Sequence, residues 1–260
     1  MIKFSKIAIA TVAALSLAAC GDDDDNNTTV TPVDTGIETE VEVEVETPVD
    51  TTVEYQFTFT NLTNGQPISP PAVLLHSSGD TSDVIWTVGV AASTALELLA
   101  ESGDSSELVA SSWVDNSFVS EGPALPGTSA NVTVNYASID DVNYFSFASM
   151  LGNTNDAFTG LNKIDLSELA IDESLNYRTP AYDAGTEANS ETAATIPGPA
   201  SGDADGENRG EAYNSDRDDV DMVTMHGGVV TQDDGLTTSV LTYQQKFDNP
   251  VMSVTITRTK

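Results

Sequence analysis

Three acidic residues stand in sequence settings that suit metal coordination. Asp183 and Glu187 are separated by an Ala-Gly-Thr segment, which must turn at Gly185. Such a turn can direct two carboxylates and an intervening carbonyl oxygen towards one point. Asp156 follows an Asn-Thr-Asn segment directly after a strand predicted to be buried, and loops of this kind often carry functional sites. The three residues form a candidate metal site; the simpler interpretation is that they are solvated acids among the 30 of their domain.

The chemistry of the available side chains favours calcium over softer metals. Calcium prefers carboxylate and carbonyl oxygens, whereas zinc and copper are usually held by histidine and cysteine. The chain has one cysteine and two histidines. The predicted cofactor is therefore a structural calcium ion bound by Asp156, Asp183 and Glu187.

No catalytic residue is predicted. The sequence contains no G-x-S-x-G turn, no H-E-x-x-H pair and no phosphate-binding glycine loop. His76, beside Ser77 and Ser78, is interpreted as a hydrogen-bonded loop residue, and His226 precedes two glycines. A pair of acids that catalyses glycoside hydrolysis is not excluded, because acids are abundant in the sequence. No particular pair stands out.

A second acidic segment spans residues 203–221, with eight acids and two arginines. Its first residues, Asp-Ala-Asp-Gly-Glu-Asn, resemble the start of an EF-hand loop, but the glycine is in the fourth position rather than the sixth. No helical pattern flanks the segment. We interpret it as a solvated insertion, with weak calcium binding as the alternative.

The composition excludes several classes of protein. The 260 residues include 41 acidic and 9 basic side chains, a formal net charge of −32. A protein this acidic repels phosphate backbones, so no nucleic-acid partner is expected. A single cysteine excludes a disulfide scaffold, a four-cysteine zinc site and an iron–sulfur cluster.

The N-terminus is typical of a bacterial lipoprotein. Two lysines precede an apolar run over residues 7–17, which has the length of a signal peptide and is too short for a stable membrane span. The run ends in Leu-Ala-Ala-Cys, which resembles a lipobox. This predicts a signal peptide over residues 1–19 and lipidation of Cys20, anchoring the protein to the outer membrane because Gly21 rather than Asp follows. An ordinary signal peptide is the alternative.

Residues 20–53 are predicted to form a tether. Eleven acids and no base lie between residues 21 and 53, and like charges at this density extend a chain and prevent it from forming a core. The Val-Glu alternation over residues 41–46 is also compatible with a strand. The tether interpretation is favoured because prolines bracket this alternation and no neighbouring sheet is evident.

The remaining residues, 54–260, are predicted to form one mainly β domain, a β-sandwich with short helices in its connections. Alternating apolar residues predict strands over residues 53–60, around 132–136 and over 251–258, and apolar runs predict strands over 84–90 and 143–151. Helical spacing after Ser93 predicts a short helix that Gly103 ends, and a second helix is predicted over residues 161–169.

Four segments in order resemble the spondin N-terminal domain of F-spondin and mindin. Residues 68–77 resemble its "SP…H-S" segment, and residues 92–103 resemble its helix ending in Ala-Glu-x-Gly. Residues 149–161 resemble its "PSPDWFVG" segment, although the prolines and the tryptophan are missing. Residues 182–187 resemble its "DAGTD" motif, with Glu187 in place of the usual final Asp. The resemblance covers nearly all of residues 55–260.

The resemblance implies a calcium-binding β-sandwich with its metal site in loops at one end, and it carries the ligand roles to Asp156, Asp183 and Glu187. It also implies a function in adhesion, as in the animal members of that family. The resulting hypothesis is a non-enzymatic, surface-tethered module of the cell envelope that binds an envelope protein, an extracellular protein or a glycan. The alternative is a cell-envelope hydrolase with a structural calcium ion.

Overall fold

A computed structural model describes residues 51–137, 143–202 and 209–260. The signal peptide, Cys20 and the tether up to residue 50 lie outside these residues. The described chain is mainly β, with ten strands in two antiparallel sheets and few short helices, consistent with a β-sandwich. The strands are β1 Val53–Asn61, β2 Ala72–His76, β3 Asn116–Val119, β4 Ser129–Tyr136, β5 Tyr144–Met150, β6 Ala157–Asp165, β7 Ser174–Thr179, β8 Ala181–Asp183, β9 Thr224–Met225 and β10 Met252–Arg258.

The first sheet has four strands in the order β4-β1-β10-β7. Its members alternate buried and more exposed residues, because one face of an antiparallel sheet packs on the core while the other faces water. In β1 the buried face carries Tyr55, Phe57 and Phe59. The predicted strands over residues 53–60, 132–136 and 251–258 are confirmed. Val53, assigned to the end of the tether, is the first residue of β1 and pairs with Tyr136.

The second sheet has six strands in the order β3-β2-β5-β6-β8-β9. One face joins the main core, where Phe145 stacks on Phe57 with ring centroids 4.6 Å apart. The other face is covered by helices α1 Thr94–Ser102 and α2 Ser106–Val109, which form a second cluster of buried apolar side chains. Both faces of the central strands are therefore buried.

Helix α1 begins and ends where the sequence predicts. Ser93 is the N-cap and its hydroxyl accepts a hydrogen bond from the N–H of Leu96, while Gly103 adopts a left-handed conformation at the C-terminus. The predicted strand over residues 143–151 is also confirmed, as β5. Two 3₁₀ helices, Gln232–Asp234 and Tyr243–Gln245, lie in the connection before β10.

Three predictions from the sequence are wrong. Residues 84–90 form turns rather than a strand. Residues 161–169 are not a helix, because their first five residues complete strand β6, which pairs with β5. His76 is the last residue of β2 rather than a loop residue. Strand β2 was missed because it is a short apolar run, buried on both faces, without the alternation that marks a half-buried strand.

Among the described residues, no helix is long and apolar enough to cross a bilayer.

Candidate metal centre

Asp156 lies directly before β6, at the end of the loop that follows β5. Its side chain is fully buried. The Oδ2 atom accepts hydrogen bonds from the backbone N–H groups of Thr186 at 2.8 Å and Glu187 at 3.2 Å, and also contacts the Thr186 hydroxyl. The Oδ1 atom has no hydrogen-bond partner. The loop containing Glu187 is therefore held directly against the carboxylate of Asp156.

Asp183 is the last residue of β8 and pairs with Ala157, the residue after Asp156. Its Oδ1 atom accepts from the N–H of Gly185 at 2.8 Å, and its Oδ2 atom accepts from the side-chain amide of Asn189 at 2.7 Å. The sheet pairing brings Asp156 and Asp183 to the same end of two neighbouring strands of the second sheet.

Gly185 forms the turn that the sequence predicts. Its φ is +72°, a left-handed conformation that glycine adopts without steric cost. A Cβ atom at this position would lie 2.3 Å from the carbonyl oxygen of Met222. Gly185 is thus required both for the turn and for the close approach of the segment that carries Met222.

Glu187 follows this turn and is 9% exposed. Burial raises the pKa of Glu187 to about 8, and the charges of Glu101, Asp156 and Asp218 add to the rise. Burial raises the pKa of Asp156 to about 7, with the Asp183 charge as the next cause. The structure therefore places Asp156 against the turn that joins Asp183 to Glu187, in an environment that disfavours the charged forms of Asp156 and Glu187.

Glu101 is a fourth carboxylate that the sequence analysis missed. It lies on α1 and is 1% exposed. Its Oε2 atom accepts from the N–H of Asn214 at 2.9 Å, whereas Oε1 has no partner. Burial raises its pKa. The available signal was the pair Glu97 and Glu101, which occupies the buried face of an amphipathic helix where apolar residues are expected.

Arg217 is a base close to Glu101, but it forms its ion pair with a different acid. Arg217 donates to the Oε2 atom of Glu97 at 2.5 Å, to the carbonyl oxygen of Ala92 at 2.9 Å and to Asp221 at 2.7 Å. The buried Glu97 thereby has a partly exposed ion-pair partner. No such ion pair joins Glu101, Asp156, Asp183 or Glu187 to a base in the described part of the chain. We refer to these four residues as the acidic cluster.

The acidic cluster has the donor type that calcium prefers, and two of its buried oxygens, Asp156 Oδ1 and Glu101 Oε1, are unpaired. Buried polar atoms without partners are unusual in folded proteins, and a bound ion or water is one way to satisfy them. Within residues 51–137, 143–202 and 209–260, no group of three or more His, Cys, Asp or Glu side chains is arranged to hold a metal ion. In the structure the carboxylates of Asp156 and Asp183 bond instead to backbone and amide N–H groups.

The two histidines are buried outside the acidic cluster. His76 bonds to the Ser146 hydroxyl at 3.2 Å and packs against Trp113 and Tyr144. His226 accepts from the N–H of Gly228 at 2.9 Å. Burial lowers the pKa of both histidines. Both ring nitrogens of His226 form hydrogen bonds, whereas the Nδ1 atom of His76 has no hydrogen-bond partner.

Two surface cavities lie away from the acidic cluster. One, of about 570 Å³, is lined by residues 118–123 and 129–133. The other, of about 290 Å³, is lined by prolines and small side chains around Ile68, Met150 and Arg209. Neither lining includes a residue of the acidic cluster.

In comparisons with known proteins, no family model matches the chain and no curated protein matches it significantly.

Proposed function

We propose that this protein is a calcium-binding, non-enzymatic adhesion or ligand-binding module, tethered to the bacterial cell envelope. The observation that carries the proposal is the acidic cluster, which buries four carboxyl groups and leaves Asp156 Oδ1 and Glu101 Oε1 without hydrogen-bond partners. Taking several carboxylates out of water is strongly unfavourable unless a cation or a proton compensates.

A calcium ion supplies that compensation. Its coordination requires six to eight oxygen atoms. The acidic cluster offers carboxylates from α1, from the end of the loop before β6, from the end of β8 and from the segment after Gly185, and calcium binding would have to draw them closer together. Asp156, Asp183 and Glu187 would hold the ion as the spondin resemblance implies, and Glu101 would complete the set. Binding requires the carboxylates of Asp156 and Asp183 to exchange N–H partners for the metal.

Thermal unfolding tests the metal site. The chain from residue 20 onward, carrying Cys20→Ser, is melted in EDTA, in calcium and in magnesium. We expect calcium to raise the melting temperature, and Asp183→Asn to abolish that rise. The matched control is Asp216→Asn, an exposed acid on the 203–221 segment, which should retain it. Equal loss in both variants would show that the stabilisation comes from general charge screening.

The tethering proposal rests on the lipobox-like sequence, Cys20 and the acidic residues 21–53. Lipid chains at Cys20 would anchor the protein to the outer membrane, and the tether would hold the domain away from it. In a bacterial expression host, we expect the wild-type chain in the membrane fraction and the Cys20→Ser variant in the soluble fraction. Identical fractionation of the two would count against lipidation.

A cell-envelope hydrolase with a structural calcium ion is the second candidate. The observation that favours it is the raised pKa of Asp156 and Glu187, since a carboxyl group that stays protonated near neutral pH can act as a general acid. The complete burial of Asp156 argues against direct contact with a substrate. Turnover of glycosidase or esterase substrates that Glu187→Gln abolishes would support the hydrolase and replace the adhesion proposal.

A further inference from the structure

The outward face of the four-stranded sheet carries a regular array of short polar side chains. In its central row, Asn131 of β4 is opposite Thr58 of β1, Thr58 is opposite Thr255 of β10, and Thr255 is opposite Asn176 of β7. Both asparagines are exposed and both threonines are partly exposed. The second sheet has no comparable face, because α1 and α2 cover it.

The two neighbouring rows have the same character. They are made of hydroxyl and amide side chains, with one charge at a corner. The row on one side consists of Ser129, Thr60, Ser253 and Arg178. The row on the other side consists of Thr133, Gln56, Thr257 and Ser174. We call these three rows the hydroxyl–amide face.

Charge sets this surface apart from the rest of the domain. Residues 54–260 contain 30 acids, yet the hydroxyl–amide face contains no acid among its 12 positions; the first acid on this side of β1, Glu54, lies one row beyond it. A cationic partner would be attracted to the acidic surfaces instead, and an anionic partner would be repelled by the whole domain. A surface whose one charge, Arg178, lies at a corner is best matched within such a field by an uncharged partner that forms hydrogen bonds.

Hydrogen bonds between the side chains fix the central row. The Thr58 hydroxyl donates to Asn131 Oδ1 at 2.8 Å, and the Thr255 hydroxyl donates to Asn176 Oδ1 at 2.9 Å. The two hydroxyl oxygens keep acceptor capacity, and the two amide groups keep N–H donors. The row therefore presents donors at its ends and acceptors in its middle. Because its rotamers are already fixed, a ligand orders little on binding.

The area of the hydroxyl–amide face favours a sugar chain over a protein as its partner. With strands about 4.8 Å apart and alternate residues about 6.7 Å apart, three rows across four strands cover roughly 390 Å². A stable protein partner needs about 800 Å² on each side. An oligosaccharide segment needs far less, and its hydroxyl groups both donate and accept hydrogen bonds.

We infer that the hydroxyl–amide face binds a neutral polysaccharide. The inference deepens the proposed function, since it names the class of partner, but it assigns binding to the first sheet rather than to the acidic cluster. The right-handed twist of the sheet, about 20–25° between neighbouring strands, suits a flexible soluble chain better than a flat crystalline surface.

Affinity electrophoresis tests the inference. The chain from residue 20 onward, with Cys20→Ser, is run in gels containing dextran, soluble starch, laminarin or galactomannan, with carboxymethyl cellulose as the anionic comparison. We expect retardation by at least one neutral polymer and none by the anionic one. No retardation by any neutral polymer, or equal retardation by the anionic one, would overturn the inference.

Two double variants localise the binding. Thr58→Val with Thr255→Val keeps the shape of the side chains but removes both acceptors, and Asn131→Asp with Asn176→Asp replaces the amide donors by carboxylates. Each should weaken binding about tenfold or more, because each removes two hydrogen bonds. The control, Thr237→Val with Thr238→Val, alters two exposed threonines outside the sheets and should bind as the wild type does.

Circular dichroism is used to check that each variant is folded. A folded variant pair that binds as the wild type does would overturn the assignment to this face.

The gels are run in both EDTA and calcium. Retardation in EDTA would support the inference even if the metal proposal fails. Calcium stabilisation without retardation would leave the metal proposal standing and overturn the glycan inference alone.

Discussion

In the metal-free protein, raising the pH from 5 to 8 removes protons from carboxyl groups that the fold keeps buried. The pKa of Asp156 rises from 3.8 to about 7 in the folded chain because of burial and the Asp183 charge. Burial likewise raises the pKa of Glu187 from 4.5 to about 8. The folded state therefore keeps protons that the unfolded state has released. Stability should be highest at low pH in this window and should fall as the pH rises through the folded pKa values.

The magnitude follows from the shift at Asp156. Between pH 5 and the folded pKa of about 7 lie two pH units, and each corresponds to about 1.4 kcal/mol, so Asp156 lowers the free energy of unfolding by about 3 kcal/mol over this window. Asp156→Asn removes this contribution because an amide does not titrate. In EDTA, the free energy of unfolding of the variant minus that of the wild type should grow by about 3 kcal/mol from pH 5 to pH 8.

Urea denaturation at several pH values and constant ionic strength measures this difference directly. The two buried histidines have lowered pKa values and destabilise the fold at low pH, but they contribute equally to both proteins and cancel. Asp216→Asn is the control and should follow the wild type. A difference that stays constant, or shrinks, between pH 5 and pH 8 would refute the idea that Asp156 is buried at an energetic cost.

Two further variants test the elements around the acidic cluster. Gly185→Ala should destabilise the protein by about 2 kcal/mol or more, since it places a side chain at φ +72° against a neighbouring backbone; Gly122→Ala, with open space around its Cβ, should change thermal stability little. Arg217→Ala should cost about 3–5 kcal/mol in urea denaturation because it leaves Glu97 buried without its partner. Lys246→Ala breaks a more exposed ion pair and should cost less than about 1 kcal/mol; equal losses would contradict the burial argument.

The sequence predicted the parts of the fold that depend on local patterns. Alternation identified β1 and β10, and the cap at Ser93 with the stop at Gly103 identified α1, because these signals arise within a few residues of chain. Strand β2 was missed because burial on both faces removes alternation. Residues 161–169 have apolar spacing that suits a helix, and only pairing with β5 makes their first part a strand.

The candidate site was predictable to a similar extent. Asp183, Gly185 and Glu187 belong to one turn, whose chemistry is visible in six consecutive residues. Glu101 is distant from them in the chain, and only the packing of α1 on the second sheet reveals its burial near Glu187. The hydroxyl–amide face could not be predicted for the same reason. Alternation shows which residues point outward, but the strand order that places Thr58 beside Thr255 is a property of the whole sheet.

Calcium titration by calorimetry tests the central claim most directly. With the chain from residue 20 onward, carrying Cys20→Ser, we predict saturable binding close to one ion per chain, with a dissociation constant of about 10⁻³ M or tighter, as in extracellular modules. Asp156→Asn should abolish binding, and Asp216→Asn should leave it unchanged. Absence of binding at several millimolar calcium, or unchanged binding by Asp156→Asn, would contradict the assignment of the acidic cluster as a calcium site.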